Sequence, residues 1–196
     1  MMVDEIAFGR EFFTLLEQFD EGMARRVAAG GCPRCEGPLH RSDFDRKPRG
    51  GLIARAGEEF VRRFSLCCGR EGCRKRATPP SVRFLGRRVY LGAVVIVASI
   101  VALALRGAGE IRRRTGVPAR TTRRWLGWWQ GPFLDTMVFV TIRAQLIGVE
   151  VGGVPASMVD RLAGTPTERV QRMLTWLVPL TTGSVPDGAR FLRGIA

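Results

Sequence analysis

Two short cysteine spacings constrain this chain more than anything else in its 196 residues. Cys32-Pro33-Arg34-Cys35 is a C-x2-C knuckle, and Cys68-Gly69-Arg70-Glu71-Gly72-Cys73 is a C-x4-C pair, with room for a hairpin between them. Each spacing lets two thiolates close on one tetrahedral zinc ion, and four thiolates fill its coordination sphere. A filled sphere is structural, because a catalytic zinc keeps one position for water or substrate. The expectation is one structural Zn2+ on Cys32, Cys35, Cys68 and Cys73 that folds a small β zinc ribbon without doing chemistry. Cys67 is an ambiguity, since its gap to Cys73 is slightly long for a knuckle. His40 could replace one cysteine, and a redox CxxC is a further alternative, although that motif belongs to a strand–helix unit not visible here.

The start, MMVDEIAFGREFF, lacks the basic residues and apolar run of a signal peptide. The expected location is the cytoplasm, on the nucleoid, where the five cysteines favour metal or a reactive thiol over a disulfide framework. The chain carries a net charge of +13, and its distribution is uneven. Residues 1–30 hold three Arg against six acids, residues 31–130 hold 22 Lys or Arg against seven acids, and residues 131–196 are nearly balanced. Such a concentrated positive field points to a polyanion, nucleic acid before membrane surface.

Periodicity divides the chain further. Asp4 to Ala29 has apolar residues at helical spacing, with Glu11, Glu17 and Glu21 between them, and Gly30-Gly31 stops it. Leu39–Phe44 and Phe60–Leu66 read as strands around a mobile Gly- and Pro-containing insert. The strands and their flanks would present Arg41, Arg46, Lys47, Arg49, Arg62 and Arg63, followed by Arg74, Lys75 and Arg76, to phosphates. Tyr90 to Leu105 is apolar almost throughout, but too short and too rich in small residues for a membrane span, so a buried helix is expected. Three further helices are expected over Phe133–Ile147, Ala156–Ala163 and Thr167–Val178, and a loose tail from Thr181. The expected fold is mostly α with a small β zinc ribbon: an amphipathic helix over 1–30, the ribbon over 31–83, a helix-turn-helix domain over 84–130 and a helical region over 131–196.

The helix-turn-helix reading rests on AGEIRRRTGVPARTTRRWLGWW, residues 108–129. Gly116 and Val117 supply a tight turn, and Pro118 opens the second helix. Thr122, Trp125, Leu126 and Trp129 fall on one face. Arg120, Thr121 and Arg123 are candidates for base edges in a major groove, and Arg112, Arg113, Arg114 and Arg124 for phosphates. Trp125, Trp128 and Trp129 could stack on bases, but tryptophans at helical spacing more often form core.

Together, CPRC, CCGREGCRKRATPPSVRFLGRRVYLGAVV and RRRTGVPARTTRRWLGWW resemble small bacterial zinc-ribbon plus helix-turn-helix proteins associated with transposases or other mobile elements. The resemblance implies double-stranded DNA binding, with the four cysteines as zinc ligands and the Arg-rich second helix as reader. Arg112 and Thr122 depart from the residues such units prefer, a small residue and an aliphatic. The expected role is a non-enzymatic accessory or regulatory component of a mobile element, with a transposase or recombinase, or a second copy, as partner. No membrane partner is expected. The alternative is an assembly subunit that docks a recombinase through its acidic first helix and helical tail. A nuclease is less favoured, because Asp135, Glu150, Asp160, Glu168 and Asp187 lie in helical texture without the sheet that gathers a two-metal site.

Overall fold

A computed structural model describes residues 8–46, 58–85, 90–105 and 107–182. Most of the insert expected to be mobile, with Lys47 and Arg49, and the tail from residue 183 lie outside the described residues, as does the start of the first expected helix. The fold is mostly helical with a few small antiparallel strands. Seven α-helices lie among the described residues: α1 (Arg10–Ala29), α2 (Gly92–Ala104), α3 (Ala108–Thr115), α4 (Ala119–Trp129), α5 (Met137–Gln145), α6 (Ala156–Asp160) and α7 (Pro166–Trp176). The strands are β1 (Leu39–Arg41), β2 (Phe44–Asp45), β3 (Arg62–Arg63), β4 (Leu66–Cys68) and β5 (Arg76–Ala77). They form one sheet in the order β1-β4-β5 and a separate pair, β2-β3.

Helix α1 buries the stripe Phe12, Phe13, Leu16, Asp20, Met23 and Val27, at the three- and four-residue spacing of a period-3.6 pattern. It ends where Gly31 turns to φ +72°, and a Cβ there would meet the Glu36 carbonyl oxygen at 2.9 Å. Leu39–Phe44 and Phe60–Leu66 do not form the two continuous strands expected. Asp43 Oδ1 accepts the Ser65 amide at 2.9 Å and the Ser42 amide donates to Ser65 O at 2.8 Å. These bonds break both stretches at the same level, so β1 and β4 join one sheet while β2 and β3 pair separately. Residues Glu58–Val61 form a 3-10 turn rather than strand.

Helix α2 is buried all round from Gly92 to Val101, which is why it carries no polar stripe. Its start fits tightly against α7: a Cβ on Gly92 would lie 2.6 Å from Leu174 Cδ2. Its middle is tied to α4, where Trp129 Nε1 donates to Ser99 Oγ at 3.1 Å. Among the described residues no helix is long and apolar enough to cross a membrane. The expected helix over Phe133–Ile147 begins only at Met137. Residues 131–135 form turns, and the Thr136 side chain caps the helix by accepting the Phe139 amide. Helix α7 starts in a full capping box: Thr165 accepts the Glu168 amide, Glu168 accepts the Thr165 amide, and Pro166 occupies the first turn.

One hydrophobic cluster runs from Phe8 and Phe12 through α2 and Trp129 to Met173 and Val178. A second, smaller one joins Val27 at the end of α1 to Leu66 and Ala77 of the sheet. Each large apolar side chain buried this way contributes ~1.5 to 3 kcal/mol.

Candidate functional site

The two cysteine knuckles meet at one point. One ligand atom from each of Cys32, Cys35, Cys68 and Cys73 lies within 4.8 Å of the others. The Cys32 and Cys73 sulfurs are 3.8 Å apart and those of Cys35 and Cys68 3.5 Å. Bonds of ~2.3 Å to a tetrahedral ion would place sulfurs ~3.8 Å apart, so the four fit a metal ion. In the first knuckle the Cys35 and Glu36 amides donate to Cys32 O at 3.3 and 2.8 Å, and the Cys32 amide donates to Gly37 O at 2.9 Å. Gly37 fits closely here, since a Cβ would lie 3.2 Å from both Cys68 Sγ and Arg70 Cβ. In the second knuckle the Cys73 amide donates to Arg70 O at 3.2 Å and the Arg70 amide points at Cys68 Sγ at 3.4 Å.

Crowding leaves these thiols at odds over their protons. The Arg34 amide leads in holding Cys32 down to about 7, against burial and with help from the Cys35 amide and the Cys35 and Cys73 thiols. The Arg70 amide favours the Cys68 thiolate as well, yet burial and the Cys35, Cys73 and Cys32 thiols push it up to about 12. Four sulfurs this close cannot all ionise without a cation between them. Cys67 stays outside the cluster. Successive side chains of a strand alternate faces, and Cys67 pairs across β1 with His40, on the side away from Cys68. His40 is likewise not among the four.

A buried network of arginines, missed by sequence reasoning, links these strands to the helical core. Arg63 and Arg83 are 2% and 1% exposed, which corrects the placing of Arg63 on a phosphate-gripping surface. The Arg63 guanidinium donates to Pro79 O at 2.5 Å. Asp20 of α1 accepts from Arg83 Nε at 2.9 Å, Ser81 Oγ at 2.6 Å and the Val82 amide at 2.7 Å. Arg83 also reaches Glu17 at 3.0 Å and Phe60 O at 3.2 Å. Between them the guanidiniums sandwich phenyl rings: Arg41 and Arg83 lie over Phe64 at 4.4 and 4.8 Å, and Arg83, Arg46 and Arg63 over Phe84 at 5.5, 5.6 and 5.9 Å. This alternation lets charged groups sit in a core. Burial lowers Arg63 to about 10, with Asp20 opposing and Arg46 and Arg83 adding, so it stays charged at neutral pH. No motif signals such a centre. Only Asp20 falling on the apolar stripe of α1 could have hinted at it.

Helices α3 and α4 are joined through Gly116, whose φ of +67° suits glycine and whose amide closes on Arg112 O. Val117 is fully buried, and its amide donates to Thr115 Oγ1 at 3.1 Å. Thr122, Trp125 and Trp129 form the buried face of α4. The Thr122 hydroxyl is satisfied internally, donating to Ala119 O at 2.9 Å, so a polar residue costs little there. Trp125 packs edge-on against Tyr90, while half-buried Trp128 lies against Trp129 and Phe133. Arg120, Arg123 and Arg124 are exposed, Thr121 half-exposed, and Arg112, Arg113 and Arg114 line the exposed side of α3. Glu110 holds Arg113 and, at 2.8 Å, Arg114. Those arginines keep its carboxyl below the usual range, first through hydrogen bonds from Arg113 and Arg114. Arg112, Arg120, Arg123 and Arg124 have no carboxylate partner among the described residues.

The remaining basic candidates divide. Arg74 and Lys75 are exposed. Arg76 is committed to Ser42 O at 3.3 Å and Ser65 Oγ at 3.1 Å. Arg41 pairs with Glu21 at 3.0 Å and Asp43 at 2.9 Å, and Arg62 with Asp45 at 3.5 Å. No protein-family model, curated protein or solved structure matches the chain. The kinship with mobile-element proteins expected from the motifs therefore gains no support from such matches.

Proposed function

We propose that the protein is a non-enzymatic, sequence-selective DNA-binding protein, stapled by one structural zinc ion and serving as an accessory or regulatory component of a mobile element. Zinc suits four thiolates in a closed tetrahedral site, a geometry that iron also takes. In this reading the strands around it form a zinc ribbon, α3 and α4 act as a helix-turn-helix, and Arg120, Thr121 and Arg123 read base edges while Arg112, Arg113, Arg114 and Arg124 grip phosphates.

The observation that carries it is the uncompensated charge on α4. Residues 107–130 hold six arginines against one glutamate, and four of those arginines have no carboxylate partner among the described residues. Two buried tryptophans fix the rotation of the helix that bears three of them. The zinc module is weaker as a polyanion surface, since four thiolates around a divalent ion leave two negative charges in excess, and several of its arginines are buried or paired. Selection from a random duplex library, followed by competition with a scrambled duplex at matched salt, tests the reading. The selected sequence should bind about a thousandfold tighter or better; equal competition would overturn it.

The docking alternative draws on only one of the two surfaces first expected, the helical tail. Glu17 and Glu21 of α1 are engaged by Arg83 and Arg41, whereas Met137 and Val140 of α5 are 75% and 53% exposed. An assembly role would therefore use α5.

A further inference from the structure

The outward side of the β1-β4-β5 sheet carries an arrangement that duplex reading does not use. We propose that His40, Arg76 and the adjoining Phe44 form a second nucleic-acid site, one that stacks the bases of single-stranded DNA. The proposal rests on the preceding reading only in taking DNA as the polymer.

The strand register places His40 opposite Cys67 and Cys67 opposite Arg76, so the three side chains share one side of the sheet, His40 and Arg76 about 10 Å apart across two strand spacings. The other side carries Leu66 and Ala77 and meets α1 at Val27. His40 is exposed and lies against Gly69, where a Cβ would come within 2.5 Å of its Nε2; glycine at that position lets the imidazole lie down on the strand. Ser42 O, Ser42 Oγ and Ser65 Oγ hold the Arg76 guanidinium at 3.3, 3.4 and 3.1 Å, and its carbon sits 5.7 Å from the centre of the Phe44 ring. Phe44 is 40% exposed. A phenyl and an immobilised guanidinium thus lie together, with an imidazole two strands away on the same side of the sheet, and all three are planar groups of the kind on which any base can stack.

The module as a whole is a weak polyanion surface, but Cys68 and its cluster lie on the other side of the strand, and the side chains on this side are basic or neutral. The residues pointing outward from the three strands include no acid, and Asp43 and Asp45 on either side of Phe44 are taken by Arg41 and Arg62. Arg74 and Lys75, exposed and without a carboxylate partner among the described residues, run directly into Arg76. A closed duplex keeps its base faces stacked inside, so a set of stacking groups selects an unpaired strand.

The test measures binding of the metal-loaded full-length protein to a blunt duplex of about 20 base pairs, to the same duplex with a dT tail of about six nucleotides, and to the dT strand alone, at one salt concentration. The tail should tighten binding about tenfold or more. Phe44→Ala should abolish that gain and leave blunt-duplex affinity unchanged, and His40→Ala should reduce it. Phe44→Leu, which preserves apolar bulk without a π face, should behave like Phe44→Ala, with metal content confirming that each variant is folded. A gain that survives both Phe44→Ala and His40→Ala overturns this proposal while leaving duplex reading by α4 intact. Binding of the dT strand that depends on Phe44, with none to blunt duplex, leaves this site standing and removes the α4 reading. No binding to any of the three removes both.

Discussion

Cys67 and Cys68 are chemically identical neighbours, and the backbone alone decides between them. Strand alternation sends one to the thiol cluster and the other to the outward side with His40. Cys68→Ser should therefore abolish stoichiometric zinc binding and most of the ~10 kcal/mol or more that a structural site contributes, while Cys67→Ser should keep a full equivalent. Zinc content by atomic emission after gel filtration distinguishes them, and full zinc in Cys68→Ser would reassign the ligand. The cluster of four cysteines was legible because knuckle spacing is a local property, carried by a few residues and their amides. Arg63 and Arg83 were not. A basic residue between apolar ones looks the same in sequence whether it faces water or a carboxylate far along the chain, and Asp20 is brought to Arg83 only by the tertiary fold.

At the scale of elements, long runs with one period were readable and short ones were not. The apolar run of α2 and the stripe of α1 each repeat over several turns, whereas the strands have two or three residues apiece, too few for alternation to mark their ends. A side-chain bond from Asp43 to the Ser65 amide decides where they break. The α3–α4 pair was visible through Gly116 and the tryptophans, because a left-handed turn and a buried aromatic face both leave local signatures. For this pair, Arg123→Ala should weaken binding to the selected duplex by roughly 1 to 3 kcal/mol and change the preferred sequence if it bonds a base. Arg112→Ala should weaken all duplexes alike and lower the salt dependence by about one counterion. Titrations of both variants against selected and scrambled duplexes over a salt series check this, and a uniform loss for Arg123→Ala would make it a phosphate contact.

Across the whole molecule, the strands beside the cysteine cluster and the helical core are joined by charge in a place where grease would be the simpler adhesive. Removing the carboxylate of Asp20 leaves the buried Arg83 guanidinium with only half-buried Glu17 as its counter-charge, and Asp20→Ala should cost ~3 to 5 kcal/mol of stability. Urea unfolding with zinc held in excess measures it, and a loss near zero would mean the guanidinium is neutralised by other groups. The first helix is shared by both regions: Phe12, Phe13 and Leu16 belong to the large cluster, Val27 to the small one beside the sheet, and Asp20 lies between them. Dissection by fragments has to respect that splint. The paired glycines at 30 and 31 look like an invitation to cut, yet a fragment starting after them would bare apolar faces on two regions at once and leave Arg83 without its main counter-charge. The smallest useful expression fragment therefore keeps α1 attached.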